Sequence, residues 1–162
     1  VAAALETYLR GELHYGADLV VSHWFPRALG VEALAGLREG SAVQGDHGSA
    51  RASLLGGAIT LRYRPLETRR FSFSLGARTQ AWRVTLRGRA RGNANDDEGA
   101  AWAVVEQLSL LFTFHPHARC ALSADLGAGI ALREAVATDE GEQVAGVFGP
   151  HLVSSLRVTI PL

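Results

Sequence analysis

The stretch from residue 121 to residue 136 reads Ala121-Leu-Ser-Ala-Asp-Leu-Gly-Ala-Gly-Ile-Ala-Leu-Arg-Glu-Ala-Val136. Its even positions are apolar from Leu122 to Val136 except for Glu134, and its odd positions are small or charged, as at Asp125. Side chains of a β-strand point to opposite faces in turn, so this alternation predicts one long strand with an apolar face. A tilted strand that crosses a bilayer needs about 9–11 residues, and this stretch is long enough.

The same alternation recurs along the whole chain and predicts eight strands. They are Ala2–Arg10, His14–Phe25, Leu29–Glu39, Ala50–Arg64, Phe71–Arg87, Ala101–His115, Ala121–Val136 and His151–Ile160. In the fifth strand the alternation slips near Ala81, which predicts a β-bulge. No segment has a helical period and no linker interrupts the chain. We therefore predict an all-β fold with a single domain spanning 1–162, an eight-stranded antiparallel up-and-down barrel.

Composition excludes several classes of protein. The formal net charge is zero, which gives no electrostatic basis for binding nucleic acid. There is no apolar run of 18 residues, and the single cysteine cannot form an internal disulfide. Every basic residue is Arg. The lack of Lys is unusual for a soluble β protein, whose exposed strand edges Lys commonly protects, but the codon bias of a GC-rich genome explains it equally well. The chain starts at Val1 without a visible signal peptide, so we expect a mature or trimmed form.

The direction of the apolar face decides between a soluble and a membrane barrel. The apolar face carries Phe, Trp, Tyr and Leu in nearly every strand, whereas the interior of an eight-stranded barrel is narrow. The polar face is rich in Gly and carries acids and bases together, and buried charges must be paired. The apolar face is therefore predicted to point outward, which makes the fold a transmembrane β-barrel. The predicted interior charge network consists of Glu6, Asp18, Glu32, Asp125, Arg62, Arg78, Arg133 and Arg157.

Aromatic residues group at two heights along the predicted strands. One group flanks the three short turns at Pro26–Ala28, Pro65–Arg70 and Pro116–Arg119. It consists of Phe25, Tyr63, Phe71, Phe73, Phe112 and Phe114, and the second group, toward the other end, consists of Tyr15, Trp82 and Trp102. Two aromatic belts that bound an apolar band are typical of a barrel at the two bilayer interfaces. The connections at the opposite end, near 40–49, 88–99 and 137–146, are longer.

With this pattern the whole chain resembles the small eight-stranded outer-membrane barrels of the OmpA and OmpX type, although no sequence motif is shared. The resemblance implies a bacterial outer-membrane protein of the cell envelope, with its short turns and both termini toward the periplasm. It implies contact with outer-membrane lipid and lipopolysaccharide, and with other envelope proteins. We expect a non-enzymatic, structural or anchoring role with a closed, charge-filled interior and no cofactor. The family usually ends on an aromatic residue, whereas this chain ends Thr159-Ile160-Pro161-Leu162; either Leu162 substitutes or the native chain continues.

Other functions stay open at this point. Asp46-His47-Gly48-Ser49 could supply a base and a nucleophile, as in outer-leaflet lipid-modifying enzymes such as lipid A deacylases and acyltransferases, but no matching motif surrounds His47. A small porin-like channel or a carrier for apolar molecules is another alternative, and a soluble ligand-binding barrel is the rival fold. His115 and His117 lack further metal ligands. Asp96-Asp97-Glu98 lacks the spacing of a calcium loop. We therefore predict no metal site.

Overall fold

Strand pairing closes the sheet into a ring. The structure, a computed structural model, describes residues 1–8, 12–45, 48–90, 97–117, 120–139 and 142–160. Its strands are β1 (Ala2–Tyr8), β2 (Leu13–Trp24), β3 (Leu29–Gly40), β4 (Val43–Gln44), β5 (Gly48–Glu67), β6 (Phe71–Ala90), β7 (Asp97–His117), β8 (Cys120–Arg133), β9 (Ala135–Asp139), β10 (Glu142–Val147) and β11 (Pro150–Thr159). Eight of them pair in antiparallel order as β1-β2-β3-β5-β6-β7-β8-β11, and β11 pairs with β1. This ring confirms the predicted eight-stranded up-and-down barrel.

The barrel has two different rims. The turn rim carries the connections β2–β3, β5–β6 and β7–β8 together with the free ends of β1 and β11. The loop rim carries the four other connections. At the turn rim a single 3₁₀ turn, Pro26–Ala28, joins β2 to β3. In the described part of the chain no helix is long and apolar enough to cross a membrane.

The irregularity predicted near Ala81 is absent from the structure. β6 keeps one continuous register with β7 and, through Ala81, with β5, so Trp82 simply points to the other face from Ala81. The register instead shifts between Tyr63 and Leu66 of β5. Pro65 lies in this interval, and a proline has no N–H to donate to the neighbouring strand. The predicted turn at Pro65–Arg70 is correspondingly shorter, because β5 continues to Glu67.

The segment predicted as a loop at 137–146 forms a hairpin instead. β8 ends at Arg133, and β9 pairs with β10 in a separate two-stranded sheet. Ala135, Ala145 and Val147 of this hairpin are buried, and Ala135 and Val147 join the barrel core. Gly146 has a φ of +124°, and a Cβ there would lie 2.1 Å from the Ala135 carbonyl oxygen. The alternation of the sequence did not reveal that these small apolar side chains turn back onto the mouth of the barrel.

The apolar part of the interior lies in the loop-rim half of the barrel. Its core consists of Tyr8, Leu34, Ala52, Leu54, Ala58, Trp82, Val84, Ala103, Val105, Ala131, Ala135 and Val147. The largest of these side chains, Trp82, is fully buried. Its ring lies against Gly56, where an added Cβ would approach the Trp82 ring to 2.9 Å and the Ala81 carbonyl oxygen to 2.1 Å. The narrow interior accommodates the Trp82 ring because Gly56, its direct partner on β5, has no side chain.

Replacement of Trp82 by Ala should lower the free energy of unfolding by about 3–5 kcal/mol, the usual cost of removing a large buried ring. Trp102 provides the matched control, because its side chain is 52% exposed on the outer face. We expect a clearly smaller loss for Trp102→Ala when both variants are compared with the wild type by urea titration. Equal losses would contradict the inward position of Trp82.

Candidate functional site: the charged interior and the apolar outer face

Five charged side chains meet inside the turn-rim half of the barrel. Asp125 of β8 accepts hydrogen bonds through Oδ2 from Arg62 Nη2 at 2.9 Å and Arg78 Nη2 at 2.7 Å, and it also pairs with Arg157. Glu32 of β3 accepts from Arg62 Nη2 and Arg78 Nη2 at 3.1 Å each and from Arg157 Nη1 at 2.6 Å. All five side chains are buried. We call this set the interior charge network; it joins β3, β5, β6, β8 and β11.

The network contains three guanidinium groups and only two carboxylates. Neutral hydroxyl groups accept the remaining hydrogen bonds: Thr60 Oγ1 from Arg78 Nε at 2.9 Å and Ser109 Oγ from Arg62 Nη1 at 3.3 Å. A buried charge without a partner costs several kcal/mol, whereas a paired and hydrogen-bonded charge is tolerated. The network therefore ties opposite walls of the barrel together and fills the space between them.

A second polar cluster lies closer to the loop rim. Arg38 donates to both carboxylate oxygens of Asp18, at 2.5 and 2.9 Å, and its Nε lies 3.8 Å from Glu6 Oε2. Tyr8 donates its hydroxyl hydrogen to Glu6 Oε1 at 2.7 Å, and the ring of His151 stacks on Tyr8 with centroids 5.2 Å apart. Each of these residues is almost completely buried. Paired polar side chains thus occupy this part of the interior.

Glu12 fastens the hairpin β9–β10 to the mouth of the barrel. Its carboxylate is buried and accepts the N–H of Ala52 in β5 at 3.1 Å and the N–H of Gly146 in β10 at 2.5 Å. His14 Nε2 lies 3.1 Å from the same carboxylate. One side chain from the β1–β2 connection thus bridges the barrel wall and the hairpin, and the hairpin covers the core around Trp82.

The structure brings together most of the charged residues that the sequence placed inside. Glu6, Asp18, Glu32, Arg62, Arg78, Asp125 and Arg157 are all buried in the barrel. The prediction was wrong for Arg133, which is exposed. The pairing of β7 with β8 shifts there, since Val104 faces Arg133 whereas Val105 faces Ala131, and this bulge turns Arg133 outward.

Sequence reasoning missed several interior residues. Arg38, Tyr8 and His151 lie inside, and for Arg38 and Tyr8 the alternation already placed the side chain on the polar face. The ion pair between Arg38 and Asp18 could be predicted only from the register of β2 and β3, in which Asp18 lies opposite Gly36. Glu12 belongs to a connection and carried no periodic signal. Its role depends on a hairpin that the sequence did not predict.

The aromatic belt predicted at the turn rim lies on the outer face. Phe25, Tyr63, Phe71, Phe112 and Phe114 are exposed there, and Phe73 is half-buried. The rings of Phe71 and Phe114 stack at 5.0 Å between centroids, and those of Phe73 and Phe112 lie 4.9 Å apart. Toward the loop rim Tyr15 and Trp102 also point outward. Trp82 does not belong to this second belt, because the unbroken register of β6 directs it inward.

Apart from Thr79, which donates a hydrogen bond to Glu106 at 2.8 Å, the outer face between these aromatic residues is largely apolar in all eight strands of the ring. Its exposed large side chains include Leu5, Leu19, Val21, Leu29, Leu37, Leu55, Ile59, Leu61, Leu75, Leu108, Leu110, Leu122, Leu126, Ile130, Leu152, Leu156 and Val158. A soluble monomer rarely exposes a contiguous apolar patch of more than a few hundred Å². The large hydrocarbon side chains named here thus lie outside, whereas the interior charge network lies inside.

The candidate catalytic and metal-binding residues do not assemble into a site in the described part of the chain. Asp46, His47 and Asp96 lie outside the described residues, and Ser49 is half-buried on β5. His115 and His117 are near the turn rim, and Glu98 is exposed near the loop rim. Within the described ranges, no group of three or more His, Cys, Asp or Glu residues is arranged to hold a metal ion.

Asp125→Asn should destabilise the barrel more than Arg157→Gln. Removing the carboxylate leaves three guanidinium groups around one acid, a loss of about 3–5 kcal/mol, whereas removing Arg157 leaves two acids with two bases. The control is the pair between Arg64 and Glu67, in which the Glu67 side chain is exposed, and Glu67→Gln should cost no more than about 1 kcal/mol. Urea titration measures the free energy of unfolding of the three variants. A larger loss for Arg157→Gln than for Asp125→Asn would contradict the argument from the excess of guanidinium groups over carboxylates.

Glu12→Gln should loosen the hairpin without unfolding the barrel. The amide places an N–H group where a carboxylate oxygen accepted from Ala52 or Gly146, so one buried N–H loses its acceptor at a cost of about 1–3 kcal/mol. Amide hydrogen exchange should accelerate at Gly146 and Val147 and stay unchanged at Val84 in β6. Glu98→Gln is the control, because Glu98 lies at the same rim and pairs with the exposed Arg87. This change should leave amide exchange unchanged in the hairpin and in β6. Faster amide exchange throughout the barrel would contradict a local role of Glu12 in holding the hairpin.

Comparison with protein-family models finds no match for this sequence, and comparison with curated proteins finds none either. The function must therefore be argued from the closed ring, its charged interior and its apolar outer face.

Proposed function

We propose that this protein is a transmembrane β-barrel of a bacterial outer membrane with a structural or anchoring role in the envelope. The single observation that carries the proposal is the inversion of the usual distribution of side chains. The ring closes over a paired charge network, while its exposed residues include 29 large hydrophobic side chains. Transfer of such a side chain out of water contributes about 1.5–3 kcal/mol, so a surrounding bilayer core supplies the burial that the fold itself does not.

The two ends of the barrel support a particular orientation. The turn rim has short connections, an outward aromatic belt and both chain ends, as in the small OmpA- and OmpX-type barrels that the sequence resembles. In this orientation the turn rim faces the periplasm and the loop rim faces the cell exterior. The loop rim then meets lipopolysaccharide, and its connections are the surfaces available to other envelope proteins.

The filled interior favours a structural role over transport. The interior charge network closes the turn-rim half, and Trp82 with the hairpin closes the loop-rim half. A carrier for apolar molecules needs an apolar lumen, which a half-barrel lined by Glu32, Asp125 and three arginines does not offer. No specific observation favours the lipid-modifying enzyme, whose candidate base His47 lies outside the described residues.

Arg substitutions at two depths test the membrane location. Leu126 and Leu132 lie on the outward face of the same strand, β8, and both are more than half exposed. In a bilayer Leu126→Arg should cost about 2–4 kcal/mol at mid-depth and Leu132→Arg about 0–1 kcal/mol near the interface. The measurement is urea titration after folding into lipid vesicles. A wild-type chain that is monodisperse in buffer without detergent, with equal and small effects of the two variants, would refute the membrane assignment.

A separate measurement tests whether the barrel is closed. The wild type inserted into a planar bilayer should show no steady ion conductance, because paired side chains occupy its cross-section. A stable conductance of the wild type would contradict the structural role and favour a channel, and the proposed membrane location would still hold.

A further inference from the structure

Four arginines form a patch on the outer face near the loop rim. Arg51 of β5 and Arg83, Arg87 and Arg89 of β6 are exposed and share the outward face of these two strands. Arg51 and Arg87 are direct cross-strand partners. Side chains in such positions have Cβ atoms about 4.5–5.5 Å apart, and like charges directly opposite one another destabilise a sheet. The fold alone gives no reason to place two arginines there.

Little negative charge of the described chain compensates this patch. Arg87 Nε lies 3.3 Å from Glu98 Oε2, the one ion pair of the patch within the described ranges. Both side chains of this pair are about 60% exposed, and such a pair contributes at most about 1 kcal/mol. Within the described ranges Arg51, Arg83 and Arg89 form no ion pair, so an anion from outside can bind them there.

The arginine patch borders directly on the apolar outer face. Arg83 is flanked on its two neighbouring strands by Leu55 of β5 and Trp102 of β7. From Leu55 toward the turn rim the outward positions of β5 continue with Gly57, Ile59 and Leu61. Arg83 is thus level with the edge of the apolar band, and Arg51, Arg87 and Arg89 lie beyond this edge, where a bilayer changes from hydrocarbon to headgroups.

We infer that the arginine patch binds the phosphate groups of a lipid headgroup in the outer leaflet, and this inference rests on the proposed membrane location. A guanidinium group donates two parallel hydrogen bonds to a phosphate, and two guanidinium groups placed opposite each other can hold one phosphate between them. The phosphate removes the repulsion between Arg51 and Arg87, while the acyl chains of the same lipid lie along Leu55 and Ile59. The phosphate and the acyl chains of one lipid would thereby contact adjacent charged and apolar parts of the same outer face.

The test compares two forms of one lipid on three forms of the protein. The barrel, folded in detergent micelles, is titrated with bisphosphorylated lipid A and with fully dephosphorylated lipid A, and native mass spectrometry measures bound lipid. The first variant, R51Q/R87Q/R89Q, removes three charges from the patch. The control, R27Q/R69Q/R70Q, removes three exposed arginines from the turn rim, so the net charge changes equally.

Each arginine near an anionic surface strengthens binding roughly fivefold. The wild type and the control should therefore bind the phosphorylated lipid at least about tenfold more tightly than the dephosphorylated one, whereas R51Q/R87Q/R89Q should prefer it by less than about twofold. Equal affinity of the wild type for both lipids would overturn the inference, and so would an equal loss in both variants. Displacement of the phosphorylated lipid by excess inorganic phosphate would show a site for free anions rather than for a lipid.

Failure of this inference is distinguishable from failure of the proposed function. A wild type that requires detergent and binds both lipids equally refutes the phosphate site alone. A wild type that is monodisperse without detergent and binds neither lipid refutes the membrane location, and the site with it.

Discussion

The pairing of two carboxylates with three guanidinium groups inside the barrel is the interaction on which the rest of the structure depends. Glu32 and Asp125 each contact Arg62, Arg78 and Arg157, which come from three different strands. In an eight-stranded ring the interior is only wide enough for side chains, so a space filled by this network has no room for large hydrocarbon groups. At this level of the barrel the large hydrocarbon side chains therefore lie on the outer face, whereas the loop-rim half also holds Trp82 and Leu54 inside. The charges of the interior thus set the direction of the alternation in the turn-rim half.

The interior is divided along its length, and each part is closed by different chemistry. The turn-rim half is held by ion pairs, and at its end Arg64 lies 3.5 Å from the ring centre of Trp24. The loop-rim half is closed by packing around Trp82 and by a hairpin bound through Glu12. Between them, Arg38 pairs with Asp18 and also stands over the Trp82 ring at 5.2 Å.

Much of the fold could be predicted from the sequence because period-two alternation runs through every long strand. Strand number, order and the inward face followed from it, as for Asp18, Glu32 and Asp125. Alternation does not carry register, so it could not show that Leu132 is the extra residue of a bulge that turns Arg133 outward. Trp82 was assigned to the outer face because a bulge was predicted at Ala81, whereas the unbroken register of β6 directs its ring inward, opposite Gly56. The hydrogen bond from Gly146 to Glu12 could not be predicted either, because it joins residues that are 134 positions apart in the sequence.

The closure of the ring gives the charge network an order of assembly. β1 pairs with β11, so the two ends of the chain meet last if the strands form in sequence. Glu32 lies on β3, Arg62 on β5, Arg78 on β6 and Asp125 on β8. These strands are linked through neighbouring strands without β11. Among themselves these four side chains are electrically neutral. If the strands form in sequence, Arg157 on β11 would join the network last, and the one unbalanced charge would enter in the step that closes the barrel.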